Sequence, residues 1–234
     1  MKKVGKVAGE RVREYTYRAI LQNIITLELP PGSAMSENEL SAFFGVSRTP
    51  VREAISELRR ADLVEVVPQI GSFVTKVDYS LIDDAQFVRM ALENEVVRCA
   101  CSDGIAEPYL YQLRYNVFQQ QKCGEGAISR KEYLMLDNEF HRLLFAAVGR
   151  EKVYEFVQMK EVHFERLHSL SERFLHNRMT QKKIEDRVRI LHAVEKRDVL
   201  AAKEAMTVHL ERYLEEKEEL KKCCPEYFVE SYSG

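Results

Sequence analysis

Residues 36 to 54 constrain this chain more than any other stretch. Ser36-Glu37-Asn38-Glu39 reads as a capping box, in which a hydroxyl and a carboxylate three residues apart satisfy each other's free amides and fix a helix start. The helix it opens is short, Glu37 to Phe44, because Gly45-Val46 makes a tight turn. Ser47 then caps a second helix, which tolerates Pro50 in its first turn and runs to about Ala61 with Val51, Ile55 and Leu58 on its inner face. Upstream, Glu10 to Leu27 places Val12, Tyr15, Ala19, Ile20, Ile24 and Leu27 at helical spacing, and Pro30-Pro31-Gly32 ends that helix. Downstream, Leu63 to Val67 is β-rich, Pro68 to Ser72 is a turn, and Phe73 to Val77 is a second β-run, together a hairpin. Three helices followed by a hairpin predict a winged helix-turn-helix.

In that arrangement the second helix of the pair enters the major groove of DNA with its N-terminus first. Here it begins Ser47-Arg48-Thr49-Pro50-Val51-Arg52, with Arg48 and Arg52 four apart on the face opposite the core residues. A guanidinium bonds a guanine edge twice, or forks a phosphate. The Ser47 and Thr49 hydroxyls and the free amides of the helix start suit a phosphate oxygen. Gly71, at the wing tip, lets backbone approach the neighbouring groove closely. Two arginines on a helix most often make a solvated face, so the weight rests on the ordered set. The net charge of -2, from 35 Lys+Arg against 37 Asp+Glu, excludes a uniformly basic nucleic-acid coat and leaves room for a local basic face.

The remainder has a different grammar. The 234 residues suffice for two domains. From Ser80 onward the pattern reads as helices near 80–102, 106–122, 129–148, 150–175, 177–196 and 198–222, with breaks at Asp103-Gly104, Gly124-Glu125-Gly126, Gly149 and Arg197-Asp198. Short connections imply an antiparallel bundle. The expected fold is therefore mainly α: a winged helix-turn-helix with a small hairpin over residues 1–76, a linker at 77–79, an antiparallel all-α helical bundle over 80–222, and a C-terminal tail at 223–234 in which Tyr227 and Phe228 either pack on the bundle or stay loose. The longest apolar run, Leu143 to Val148, is far too short to span a bilayer, so a cytoplasmic protein with no membrane partner is expected. The five cysteines form no CxxC pair and read as reduced thiols, the vicinal Cys223-Cys224 pair being an exposed tail feature or a redox sensor.

Polar residues on the inner faces of the bundle mark a second candidate site. Arg89 falls within the stripe of Leu81, Ala85, Leu92 and Val96, where a charge is costly unless it is paired. Glu93, one turn on, can pair with it structurally; otherwise Arg89 faces an anionic ligand. Asp137 and His141 are four apart and point the same way. Arg187 lies 11 residues before Asp198 and His209 lies 11 after it, so in a hairpin turning there both sit roughly 16 Å from the turn and can converge.

Both halves resemble known domains. Pro31-Gly32, Ser36-Glu37-Asn38-Glu39-Leu40 and Val46-Ser47-Arg48-Thr49-Pro50-Val51-Arg52-Glu53-Ala54 resemble the N-terminal domain of GntR-family transcriptional regulators, over about residues 10 to 77. The resemblance implies operator contacts from Arg48 and Arg52 with help from Ser47, Thr49 and Gly71; Asn38 stands where many relatives carry Arg, so the contact there is expected to be lost or changed. Asp137-x-x-Phe140-His141 and Ala205-Met206-x-x-His209-Leu210 look like the FCD effector domain of the FadR subfamily, in which an Asp and three His commonly hold a divalent metal that helps bind a carboxylate effector. Carried over, that set gives Asp137, His141 and His209, with Arg187 at the remaining histidine's place. Arg187 stays protonated and cannot be a ligand, and His192 is about 140° further round the helix. Two functional expectations follow, beside the alternative of a purely structural polar network. Three ligands hold zinc, nickel or manganese with open positions, or the guanidinium replaces the cation, pairing with Asp137 and reaching an effector carboxylate itself. A fixed cation beside a dication is repulsive, which argues against a tight metal site.

These readings predict a homodimeric transcriptional regulator of palindromic operator DNA, controlled by a small organic acid and not an enzyme. A metal-dependent hydrolase built on Asp137, His141 and His209 lacks a second acid–base residue at fixed spacing and leaves the front half unexplained. A purely architectural DNA-binding protein leaves the polar set in the bundle unexplained.

Overall fold

A computed structural model of the chain describes residues 1–124, 130–158, 161–175 and 178–229. In order, its elements are α1 (Val12–Ile25), β1 (Ala34–Met35), α2 (Glu37–Phe44), α3 (Arg48–Arg60), β2 (Val64–Val67), β3 (Gly71–Val74), α4 (Tyr79–Asp103), α5 (Glu107–Gly124), α6 (Arg130–Ala147), α7 (Glu151–Gln158), α8 (Glu161–Leu175), α9 (Arg178–Glu195) and α10 (Val199–Cys223), followed by one 3-10 turn, Pro225–Tyr227. They form two compact units.

The first unit is the winged helix-turn-helix. Ala19, Ile20 and Ile24 of α1, Leu40 of α2 and Val51, Ala54 and Leu58 of α3 are buried together, as their helical spacing requires. The Ser36 hydroxyl accepts from the Glu39 amide at 3.4 Å, but the return bond expected of a capping box is not made among the described residues. Gly45 ends α2 in the left-handed region (φ 66°), the conformation that turns the chain into α3. The sheet has three antiparallel strands, ordered β1-β3-β2, where the sequence predicts a two-stranded hairpin. β1 is two residues long, too short to carry a periodicity. The wing turn is also tighter than expected: Gly71 already pairs with Val67, leaving Pro68, Gln69 and Ile70 as the loop, with Gln69 at φ 63° and Gly71 at φ 150°.

Two further segments belong to this unit. One is Val162–Phe174 of α8, which the sequence reading assigns to the bundle. Arg166 of α8 is 1% exposed; it donates from Nη2 to the Thr75 carbonyl and from Nη1 to the Thr75 hydroxyl at 3.2 Å. Burial pushes its guanidinium down to about 10, still charged at neutral pH. The other segment begins at Lys221. Its Phe228 bridges to Val77 in parallel: the Val77 amide donates to the Tyr227 carbonyl at 2.8 Å, and the Val229 amide to the Val77 carbonyl at 3.0 Å. The Phe228 ring stacks on Tyr79 at 4.9 Å between centroids and 8° between planes. Phe228 thus packs on the linker residues Val77 and Tyr79, and positions 230–234 lie outside the described residues.

The second unit is the bundle of α4, α5, α6, α7, α9 and α10, closed over Val97, Phe140, Leu143, Leu144, Phe145, Ile190, Ala202 and Met206. The predicted breaks hold at Gly104 (φ 80°) and Gly149 (φ 70°), and Asp198 caps α10 by accepting from the Ala201 amide at 3.0 Å. Of the helix predicted over 150–175, the described residues are helical as α7 and α8, and 159–160 lie outside the described residues. Glu125 and Gly126 of the expected glycine break lie outside them as well. None of the described helices is long and apolar enough to cross a membrane.

Candidate functional site

The first site is the face presented by α2, α3 and the wing. Val51, Ala54, Ile55 and Leu58 turn inward, so Ser47, Arg48, Thr49 and Arg52 turn outward, and all four are exposed. Asn38 and Gly71 are exposed too. Ser47 occupies the N-cap of α3 with extended backbone, but its side chain makes no capping bond, contrary to the expectation from sequence. Its hydroxyl and the first-turn amides of α3 are therefore available to an anion. Arg52 is held by Glu37 of α2, Nε to Oε2 2.7 Å, an exposed pair worth little in water. Among the described residues, Arg48 has no such partner.

The second site lies inside the bundle, where four helices bring the expected residues together. Asp137 and His141 come from α6, Arg89 from α4, Arg187 from α9 and His209 from α10. Arg187 is 1% exposed. Its Nη2 donates to Asp137 Oδ1, and its Nη1 to Gln120 Oε1 and to Tyr133 Oη, each at 2.9 Å. Arg89 donates from Nε to Glu93 Oε1 at 2.7 Å, and the other oxygen of that carboxylate, Oε2, lies 2.5 Å from His141 Nδ1. Burial would raise the Glu93 pKa; the Arg89 charge and the bonds from His141 and Arg89 outweigh it and hold it down to about 2. An ionised Glu93 only accepts, so His141 donates to it from Nδ1 and turns Nε2 inward. There Arg89 Nη2 lies 3.2 Å away and His209 Nε2 3.3 Å away, the two imidazoles stacking at 5.3 Å. Burial and then the Arg187 charge push His209 well below its ordinary value, so it is neutral. Its Nδ1 has no hydrogen-bond partner among the described residues and lies 4.0 Å from Asp186, which is forked by Arg212.

The ligand atoms of Asp137, His141 and His209 lie within 4.8 Å of one another, and the carboxylate behind His141 is the support a metal-bound imidazole uses. The donors are nevertheless engaged. Asp137 accepts from Arg187, His141 Nε2 faces Arg89, and the place of a fourth ligand holds a guanidinium. Arg89 and Arg187 already balance Glu93 and Asp137, so a divalent ion would add two uncompensated charges to a buried space. The residues present do not fit a resident metal. His192, exposed on α9, contributes nothing here.

Sequence spacing located Arg89, Asp137, His141, Arg187 and His209. It missed Glu93 as the support of His141, and it missed Gln120, Tyr133 and Asp186. These contacts cross between helices, and no interval within one helix encodes them.

Comparison with known proteins agrees with both halves. Residues 13–74 match the model of the bacterial regulatory proteins of the gntR family, and residues 84–212 match the FCD domain. An uncharacterised HTH-type transcriptional regulator in an unstable DNA locus of Streptomyces ambofaciens is 36% identical over 94% of this chain and 91% of its own length. The HTH-type transcriptional repressor RspR of Escherichia coli is 32% identical over 94% of each. Among solved structures, E. coli McbR/YncC superposes with a TM-score of 0.69 at 17% identity, over 88% of this chain and 96% of that one, a likeness of fold. The chain belongs to the GntR family of DNA-binding transcriptional regulators, in the FadR subfamily that pairs this DNA-binding domain with an FCD effector-binding domain, and it is not an enzyme.

Proposed function

We propose that this regulator acts in the cytoplasm as a homodimer on a palindromic operator, and that a small carboxylate in the bundle controls its affinity for DNA. Residues 1–76 contact the operator, 77–79 link, 80–222 sense the effector and dimerise, and 223–234 form the tail. Arg48 and Arg52 read base edges or fork phosphates, Ser47 and Thr49 hold phosphates at the start of α3, Asn38 contacts from α2, and Gly71 brings the wing backbone close. A two-fold dimer places two copies of α3 one helical turn apart.

The observation that carries the effector reading is the Arg187 guanidinium, fully buried and held by one carboxylate, one amide and one hydroxyl. A planar carboxylate is the natural competitor for a guanidinium fork. An incoming acid that takes Arg187 from Asp137, with help from Arg89 and the two imidazoles, changes the bonding between α6 and α9. It thereby favours one arrangement of the dimer's DNA-binding domains over another. A thermal-shift screen of small mono-, di- and hydroxycarboxylates tests this. At least one should raise the melting temperature of the wild type and fail to raise that of Arg187→Ala, with Arg187→Ala still folded by circular dichroism. Equal stabilisation of both proteins contradicts the role of Arg187.

A further inference from the structure

We infer that two arginines have replaced the metal in this FCD domain, and that the chain senses its effector without a bound ion. The replacement concerns the resident cation alone and holds whichever acid is the effector.

Three observations carry it. First, Arg187 stands on α9 where a further ligand would complete the set formed by Asp137, His141 and His209, and it donates directly to Asp137. That pair takes one oxygen of the carboxylate a metal would use and puts a fixed cation beside it. Second, Nη1 of Arg187 donates to both Gln120 and Tyr133, at 2.9 Å each, while its buried Nε has no hydrogen-bond partner among the described residues. Two neutral acceptors placed on one nitrogen of a buried guanidinium give the arginine a defined seat. Third, Arg89 lies 3.2 Å from His141 Nε2, the lone pair that a metal would use, while Glu93 holds both Arg89 and the far side of the same imidazole. The centre is therefore two cations, two anions and two imidazoles, balanced without an ion. Its cationic charge sits on fixed forks that select a planar anion by hydrogen-bond direction.

The experiment measures metal in protein that has met neither DNA nor effector, so its result is independent of the effector reading. Untagged wild type, purified without chelator and then dialysed against zinc, nickel or manganese, is compared by elemental mass spectrometry with Arg187→Asn, His141→Ala and Arg187→His. The wild type should retain well under about 0.2 equivalents per chain, no more than His141→Ala. Arg187→His completes an Asp-His-His-His set and should retain about one equivalent, with a metal-dependent rise in melting temperature. Its occupancy should fall to background when His209→Ala is added. About one equivalent in the wild type, lost in His141→Ala, overturns the inference. So does a folded Arg187→His that binds nothing, because Arg187 would then not stand in a ligand's place. Should Arg187→His fail to fold, the wild-type stoichiometry decides alone.

Discussion

Glu93 shows how one side chain organises a buried centre. Its carboxylate takes Arg89 on one oxygen and His141 on the other, fixing the face the imidazole turns inward. The Arg187–Asp137 pair is equally dependent on both partners. Removing the cation alone leaves a buried carboxylate uncompensated, so Arg187→Met should cost about 3–5 kcal/mol in urea unfolding. The double variant Arg187→Met with Asp137→Asn should recover most of that loss, and a strictly additive double variant would show that the two residues are not coupled. The cysteines give a second test at this scale. Burial pushes the Cys224 thiol up to about 11, with Glu226 and Cys223 adding to the rise, while the adjacent Cys223 is exposed. The thiolate is the reactive form, and at pH 8 Cys224 stays a thiol. Iodoacetamide at that pH should label Cys223 and spare Cys224 until the protein is unfolded. Equal labelling of the native protein would contradict the burial of Cys224. Asp137 and His141 are legible in the sequence because a helix repeats every 3.6 residues, and Arg187 and His209 because a hairpin places equal offsets at equal depth. Nothing in the sequence places Gln120 or Tyr133 on Arg187, since that contact depends on how α5 and α6 pack.

At the scale of elements, α2, the turn and α3 are the most readable part of the chain. Their caps, their glycine and their apolar stripes all specify the same structure. Gly45 takes φ 66° with open space around it, so Gly45→Ala should lose about 1–2 kcal/mol from backbone strain alone, read as a lower melting temperature. An unchanged melting temperature would mean that the turn relaxes. Elements without a local signal are the ones that sequence reading misses. β1 has two residues and is defined only by its pairing with β3. The grouping of α8 with the winged domain is defined only by contacts distant in sequence, such as Arg166 on Thr75. Phe228 is likewise buried by partners far away in sequence, Val77 and Tyr79. Phe228→Ala should cost about 3–5 kcal/mol and expose the linker around Val77 to proteolysis, and resistance equal to wild type would count against the pairing.

For the whole molecule, a net charge of -2 is compatible with a DNA-binding function because a local basic face needs no basic excess over the whole chain. Arg48→Ala with Arg52→Ala should weaken operator binding at least about tenfold. It should also flatten the salt dependence by about 0.9 for each phosphate left without its arginine. Unchanged affinity would remove α3 from the groove.

In the proposed function effector chemistry and DNA affinity meet at Arg187, so the deciding experiment reads both at once. Operator affinity is measured by fluorescence anisotropy, on DNA selected from a random pool, as carboxylates from the thermal-shift screen are titrated into wild type and Arg187→Ala. A stabilising acid should shift the dissociation constant of the wild type by about 5-fold to 150-fold. Arg187→Ala should bind the operator with near wild-type affinity and no longer respond. An acid that shifts both proteins equally would show that the signal does not pass through Arg187.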